Sequence, residues 1–168
     1  MKRIYLLFAF CLSLALASCG DKNDDDYIIV DYYPVEFYIS LETAKGVDLL
    51  NAENEGAVDV DAIELYYDGN TYTLNSKAEP VTRAYYPHFK GMELQKIDGK
   101  YRIYVGEFEG SPWFEGGSFA ISWGDGTRDN FTYRNTKDGK IGVKHHFYLN
   151  GHTVKSGNYP YVSIAVIK

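Results

Sequence analysis

Cysteine is nearly absent from this chain. Its 168 residues hold two, Cys11 and Cys19, both ahead of the part that reads as a folded body. That body therefore has no disulfide, even in an oxidising compartment, and apolar packing must hold it together. Positive charge is also scarce. Seventeen Lys and Arg stand against 23 Asp and Glu, for a formal net charge of −6. With no basic stripe, the balance argues against nucleic acid and against adsorption to anionic lipid. Catalytic signatures are missing as well. The body has no thiol nucleophile, no Gly-x-Ser-x-Gly, no His-Glu-x-x-His and no glycine loop to cradle phosphate. It reads as a protein that is not an enzyme and needs no cofactor. Sustained helical periodicity is lacking after the first 18 residues, which turns the reading toward strands. What the chain does have is tyrosine, 16 of them, a residue that suits half-buried strands and binding surfaces alike.

Residues 1–18 have the three parts of a secretory signal. Lys2 and Arg3 give a positive start, residues 4–17 an apolar stretch too short to span a bilayer with comfort, and small residues lead to a cut site. The order Leu16-Ala17-Ser18-Cys19 resembles a bacterial lipobox. The resemblance implies cleavage before Cys19, a diacylglycerol thioether on its sulfur and a further acyl chain such as palmitate on its new amino group. A non-lipid signal peptide and a membrane helix are the other readings of the stretch. Buried methylenes contribute about 0.8 kcal/mol each, so two or three chains hold far more firmly than one. Cys19 is thus expected to be an anchor.

Gly20-Asp21-Lys22-Asn23-Asp24-Asp25-Asp26 is too polar to bury a core and reads as a solvated tether. It is similar to the acidic sequence after the lipidated cysteine in Bacteroidota lipoproteins carried to the outer face of the outer membrane. A spacer facing the periplasm has the same physics. The expected organisation is a signal peptide over 1–18, a lipidated cysteine and tether over 19–26, and a single domain over 27–168.

That domain reads as short strands between turn signals. Val35, Phe37, Ile39 and Leu41 alternate with Glu36, Tyr38, Ser40 and Glu42, a strand with one wet side. Asp68-Gly69, Asp98-Gly99 and Asn150-Gly151 each interrupt alternating segments, and such dipeptides favour tight hairpins because both residues need positive φ. A further hairpin is expected across Gly124-Asp125-Gly126-Thr127, and Leu49-Leu50 should be a packing point in a long loop. The closing strand from Val162, apolar on both faces, is expected to be well buried. Eight or nine such strands predict an all-β antiparallel sandwich.

The order Ile121-Ser122-Trp123-Gly124-Asp125-Gly126-Thr127, then His146-Phe147-Tyr148, Gly157-Asn158-Tyr159 and residues 162–166, is similar to a PKD-type immunoglobulin-like domain. The resemblance covers about the last third of the chain and implies an immunoglobulin-like sandwich. As a whole the chain looks like the small lipoproteins of gut Bacteroidota, which implies an envelope location.

Several residues invite a functional reading beside a plainer one. Asp125 and Asp129 could offer oxygens to calcium, or Asp125 could bond the amides of its own turn. Asp59, Asp61 and Glu64 could bind a hard cation or serve as paired acids in glycoside hydrolysis, or simply open a solvated strand. His145 and His146 are adjacent on a strand and point to opposite faces, so they should not chelate one ion. His145 shares parity with Phe147 and is expected to face the core, with His146 outside. Trp123 shares a face with Phe119 and Ile121 and is expected in the core. Trp113 and Phe114 sit in a turn-rich loop, where they could stack on a sugar, anchor a protein or fold back as a plug. Tyr85 and Tyr86, with Phe89, form a second aromatic segment of the same kind. The reading that follows is a lipid-anchored, outer-membrane, surface-facing binding module for glycan or protein, with Trp113, Phe114, Tyr85 and Tyr86 as candidate contacts and no metal. A subunit of an envelope assembly and a small hydrolase are its alternatives.

Overall fold

In the computed structural model of the chain, the described residues are 34–74, 76, 87–139, 142–154 and 161–168. Leu16, Ala17, Ser18, Cys19, the acidic tether, Tyr85, Tyr86 and Gly157-Asn158-Tyr159 lie outside them.

Ten strands follow in order: β1 (Val35–Glu42), β2 (Glu64–Tyr67), β3 (Asn70–Thr73), β4 (Gly91–Ile97), β5 (Lys100–Phe108), β6 (Gly116–Ser122), β7 (Arg128–Asp138), β8 (Gly142–Leu149), β9 (His152–Thr153) and β10 (Tyr161–Ile167). No α-helix occurs among the described residues. A four-stranded sheet has the order β10-β1-β5-β4, and a six-stranded sheet the order β3-β2-β6-β7-β8-β9. Neighbours run antiparallel except β1 and β10, which are parallel, with Glu36 opposite Tyr161 and Ile39 opposite Ile164. The chain is an all-β sandwich of two mostly antiparallel sheets.

The turns form as their residue types require. Asp68, Asp98 and Asn150 have φ of 49°, 50° and 51°, and the glycines after them 74°, 82° and 80°. Two successive left-handed residues match the right-handed twist of the strands they join. β2 then returns as β3, β4 as β5, and β8 as β9.

Alternation sends one side of each strand into a shared core. Val35, Phe37, Ile39 and Leu41 are all fully buried. Phe37 on β1 meets the ring of Phe119 on β6 at 5.0 Å and that of Phe147 on β8 at 5.7 Å, both edge to face. These contacts join the two sheets. Phe119 in turn stacks on Phe108 at 5.4 Å and on Phe131 at 5.0 Å. Burying one such side chain contributes about 1.5–3 kcal/mol, which is how a domain without disulfides holds. Leu49 and Leu50 close one flank from the long loop between β1 and β2.

Two expectations need correction. β10 is not buried on both faces. Val162, Ile164 and Val166 enter the core, whereas Tyr161, Ser163, Ala165 and Ile167 are exposed, because each sheet of a two-layer sandwich turns its other face to solvent. Nor do Asp59 and Asp61 share one extended segment, since only Asp59 is extended. Residues Val60–Ala62 form a 3-10 turn, and the Asp59 side chain caps it by accepting from the Asp61 amide at 3.1 Å.

Candidate binding surface

The loop 109–115 joins β5 to β6 at one end of the sandwich and divides its two rings. Phe114 is half-buried against the core, 6.3 Å from the Tyr133 ring. Trp113 points outward and is 65% exposed, with the Lys137 ammonium 5.5 Å from its ring centre. Phe114 thus packs as a plug against the core, and Trp113 is the more exposed ring of the two.

What fixes this loop is Asn135 on β7, 7% exposed. Its Nδ2 donates to the carbonyls of Glu109 at 3.1 Å, Ser111 at 3.2 Å and Phe114 at 2.9 Å. Its backbone amide donates to the Glu115 carbonyl at 3.0 Å. Its Oδ1 lies 2.8 Å from Nδ1 of His145, directly opposite on β8. Since Oδ1 can only accept, Nδ1 of His145 carries the proton. Burial, with the charge of His146 second, lowers the pKa of His145 and keeps that ring neutral. Sequence reasoning passed over Asn135. The signal was there, because it follows Phe131 and Tyr133 at the same parity, and a polar residue at a core position needs partners.

An open furrow of about 570 Å³ starts at Glu115 and lies over the paired strands β6 and β7, lined by Ser118, Thr132, Arg134 and Thr136 among others. Gly116 is obligatory at its rim. With φ at +127°, a side chain there would place Cβ 2.1 Å from the Tyr133 carbonyl oxygen. Trp113 does not itself line this trough of hydroxyls and a guanidinium; it precedes the first lining residue, Glu115, by two positions in the chain.

The second aromatic segment is described from Pro87 onward. Phe89 packs on Tyr67 at 4.6 Å, Tyr72 at 4.9 Å and Phe108 at 5.6 Å. Phe108 ends β5 and leads into the Trp113 loop, so Phe89 and that loop lie at the same end of the sandwich.

Neither a family model, a curated protein nor a solved structure matches this chain.

The remaining candidates are occupied with the fold. Asp125 Oδ1 accepts from the amide of Thr127 at 2.8 Å and from its hydroxyl, and Oδ2 meets the Lys168 ammonium at 3.2 Å. The Thr127 hydroxyl is the main reason its pKa is lowered, with the Thr127 amide and Lys168 adding to it. Asp129 accepts from the Trp123 indole at 2.6 Å and from Asn150 Nδ2 at 2.7 Å. Trp123 itself is fully buried. Glu64 accepts from the Tyr66 hydroxyl. Asp59 and Asp125 do line one depression of about 330 Å³, each already engaged in a turn. His145 and His146 take different partners, His146 bonding Thr136 at 3.1 Å. Among the described residues, no three His, Cys, Asp or Glu gather closely enough to hold a metal ion.

Proposed function

We propose that the protein is a lipid-anchored, non-catalytic binding module that takes glycan on the Trp113 surface. The observation that carries this reading is Trp113 itself, a large ring turned to solvent from a loop whose backbone is pinned by Asn135. Holding a ring in place before binding removes ordering entropy from the association. A rigid aromatic plate suits the apolar face of a pyranose. The hydroxyls of Ser118, Thr132 and Thr136 and the guanidinium of Arg134 suit its hydroxyls. Protein recognition by the same ring is the less favoured reading, because the neighbouring furrow is polar and aromatic anchors at protein interfaces sit among apolar neighbours.

Attachment through an acylated Cys19, outer-membrane location and surface exposure rest on the lipobox and the acidic tether. Kinship with PKD-type domains and with Bacteroidota lipoproteins rests on the motif order alone.

Binding of the full chain to an array of bacterial, host and plant polysaccharides tests the first claim. Retention should occur and should vanish with Trp113→Ala at unchanged melting temperature. Equal retention by the variant would remove Trp113 from the reading. Incorporation of labelled palmitate, lost in Cys19→Ala, tests the anchor. Protease treatment of intact cells tests which side the domain faces.

A further inference from the structure

Among the described residues the sandwich has four edge strands, and three of them are blunted. β3 has four residues, β9 has two, and β4 carries Glu93 and Lys96. Short length and charge are the usual protections against stray strand pairing. β10 has neither. Its seven residues, Tyr-Val-Ser-Ile-Ala-Val-Ile, include no charge, proline or glycine, and among the described residues it is paired on one side only, to β1. A long, uncharged, β-branched edge is a template for another strand.

We propose that the strand it takes is the β10 of a second copy, antiparallel and centred on Ile164. Three features of this strand favour its own copy over a foreign one. Centring on Ile164 overlaps all seven residues and keeps inward residues opposite inward ones: Val162 faces the partner's Val166, and Ile164 faces the partner's Ile164. On the outer face it sets Tyr161 against the partner's Ile167 at both ends. These are the strand's two large exposed apolar side chains, 55% and 57% exposed, and an aromatic beside a β-branched residue is a favourable cross-strand pair. Finally, a two-fold axis brings each group near its own kind, and a strand without charge brings no repulsion there. The rings of Tyr104, Tyr38 and Tyr161 already form a row across β5, β1 and β10, at 5.4 and 5.9 Å, and the partner's Ile167 extends that row. The two four-stranded sheets become one of eight. This surface is separate from Trp113 and does not depend on glycan binding.

Sedimentation equilibrium of the full chain in mild detergent, across the micromolar range, reads the result. The wild type should have twice the chain mass. Ala165→Lys and Ser163→Lys, both outward-facing and so compatible with the fold, should sediment as monomers with a melting transition still present, and Ala165→Ser should remain a dimer. Register is tested by rescue. Tyr161→Glu and Ile167→Lys should each weaken the dimer, and together restore it, since the new charges face each other only when Ile164 is the centre. A wild-type monomer, a dimer that survives both lysine substitutions, or a stoichiometric foreign protein on a monomeric chain would overturn the proposal. Trp113→Ala should leave the mass unchanged, so failure of glycan binding and failure of dimerisation are separately visible.

Discussion

The two tryptophans stand in similar settings and do opposite things. Each lies beside a turn-rich segment, and each has a lysine ammonium over its ring, Lys168 at 5.8 Å from Trp123 and Lys137 at 5.5 Å from Trp113. Trp123 continues the alternation of Phe119 and Ile121 and is fully buried, its indole donating to Asp129 at 2.6 Å. Trp113 follows Pro112 in a loop, at no strand position, and stays in solvent. Strand parity decides where a ring goes. In a loop, remote polar groups decide it, and here that group is Asn135. One tryptophan is part of the core while the other lies at the surface.

Substituting the two residues is the sharpest way to break that contrast. Trp123→Ala should lower stability by about 3–5 kcal/mol through lost burial and a cavity, with Asp129 also losing a donor, readable as a large fall in the urea midpoint. Asn135→Ala should cost on the order of 2–3 kcal/mol, because carbonyls of the Trp113 loop lose their donor. It should also speed amide exchange over residues 109–115, and a protection pattern unchanged from wild type would show that the loop holds itself.

Acid should act on both ends. The folded pKa of His145 lies below its ordinary value, so the unfolded chain takes up that proton first. Stability is then present above about pH 6.5 and falls as pH drops below it. His145→Asn should flatten that limb. Asp125 also has a folded pKa below its ordinary value. Its contribution is complete above the usual carboxylate range and disappears as pH falls through its own lowered value, and Asp125→Asn should remove this second limb. Urea midpoints measured from pH 7 to pH 3 give both. The smallest effect on stability is expected for Trp113→Ala, within about 0.5 kcal/mol. A loss comparable to that of Trp123→Ala would make Trp113 a structural residue.

Much of the architecture was legible because it is local. An Asp-Gly or Asn-Gly turn depends on backbone sterics over two residues, and all three hairpins formed where those dipeptides stand. The inward face of β1 follows from a period of two and needs no knowledge of partners. The division between Trp113 and Phe114 was not legible, since both are large rings one residue apart in a loop. Nor was the role of Asp59, because a carboxylate that caps a 3-10 turn and one that opens a strand look alike in sequence. Of the candidate contacts, Trp113 is exposed, Phe114 is half-buried against the core, and Tyr85 and Tyr86 fall outside the described residues.

The order of amino acids alone determined the strand class, the tight turns and which side of most strands is apolar, because these depend on neighbours one to three residues away. Only the tertiary structure decided that the first and last strands run side by side in parallel, that β10 is an edge with one wet face, and that Asn135 reaches across to hold the Trp113 loop. Those outcomes join residues from about twenty to more than a hundred positions apart, and no short-range rule of sterics or alternation reaches that far.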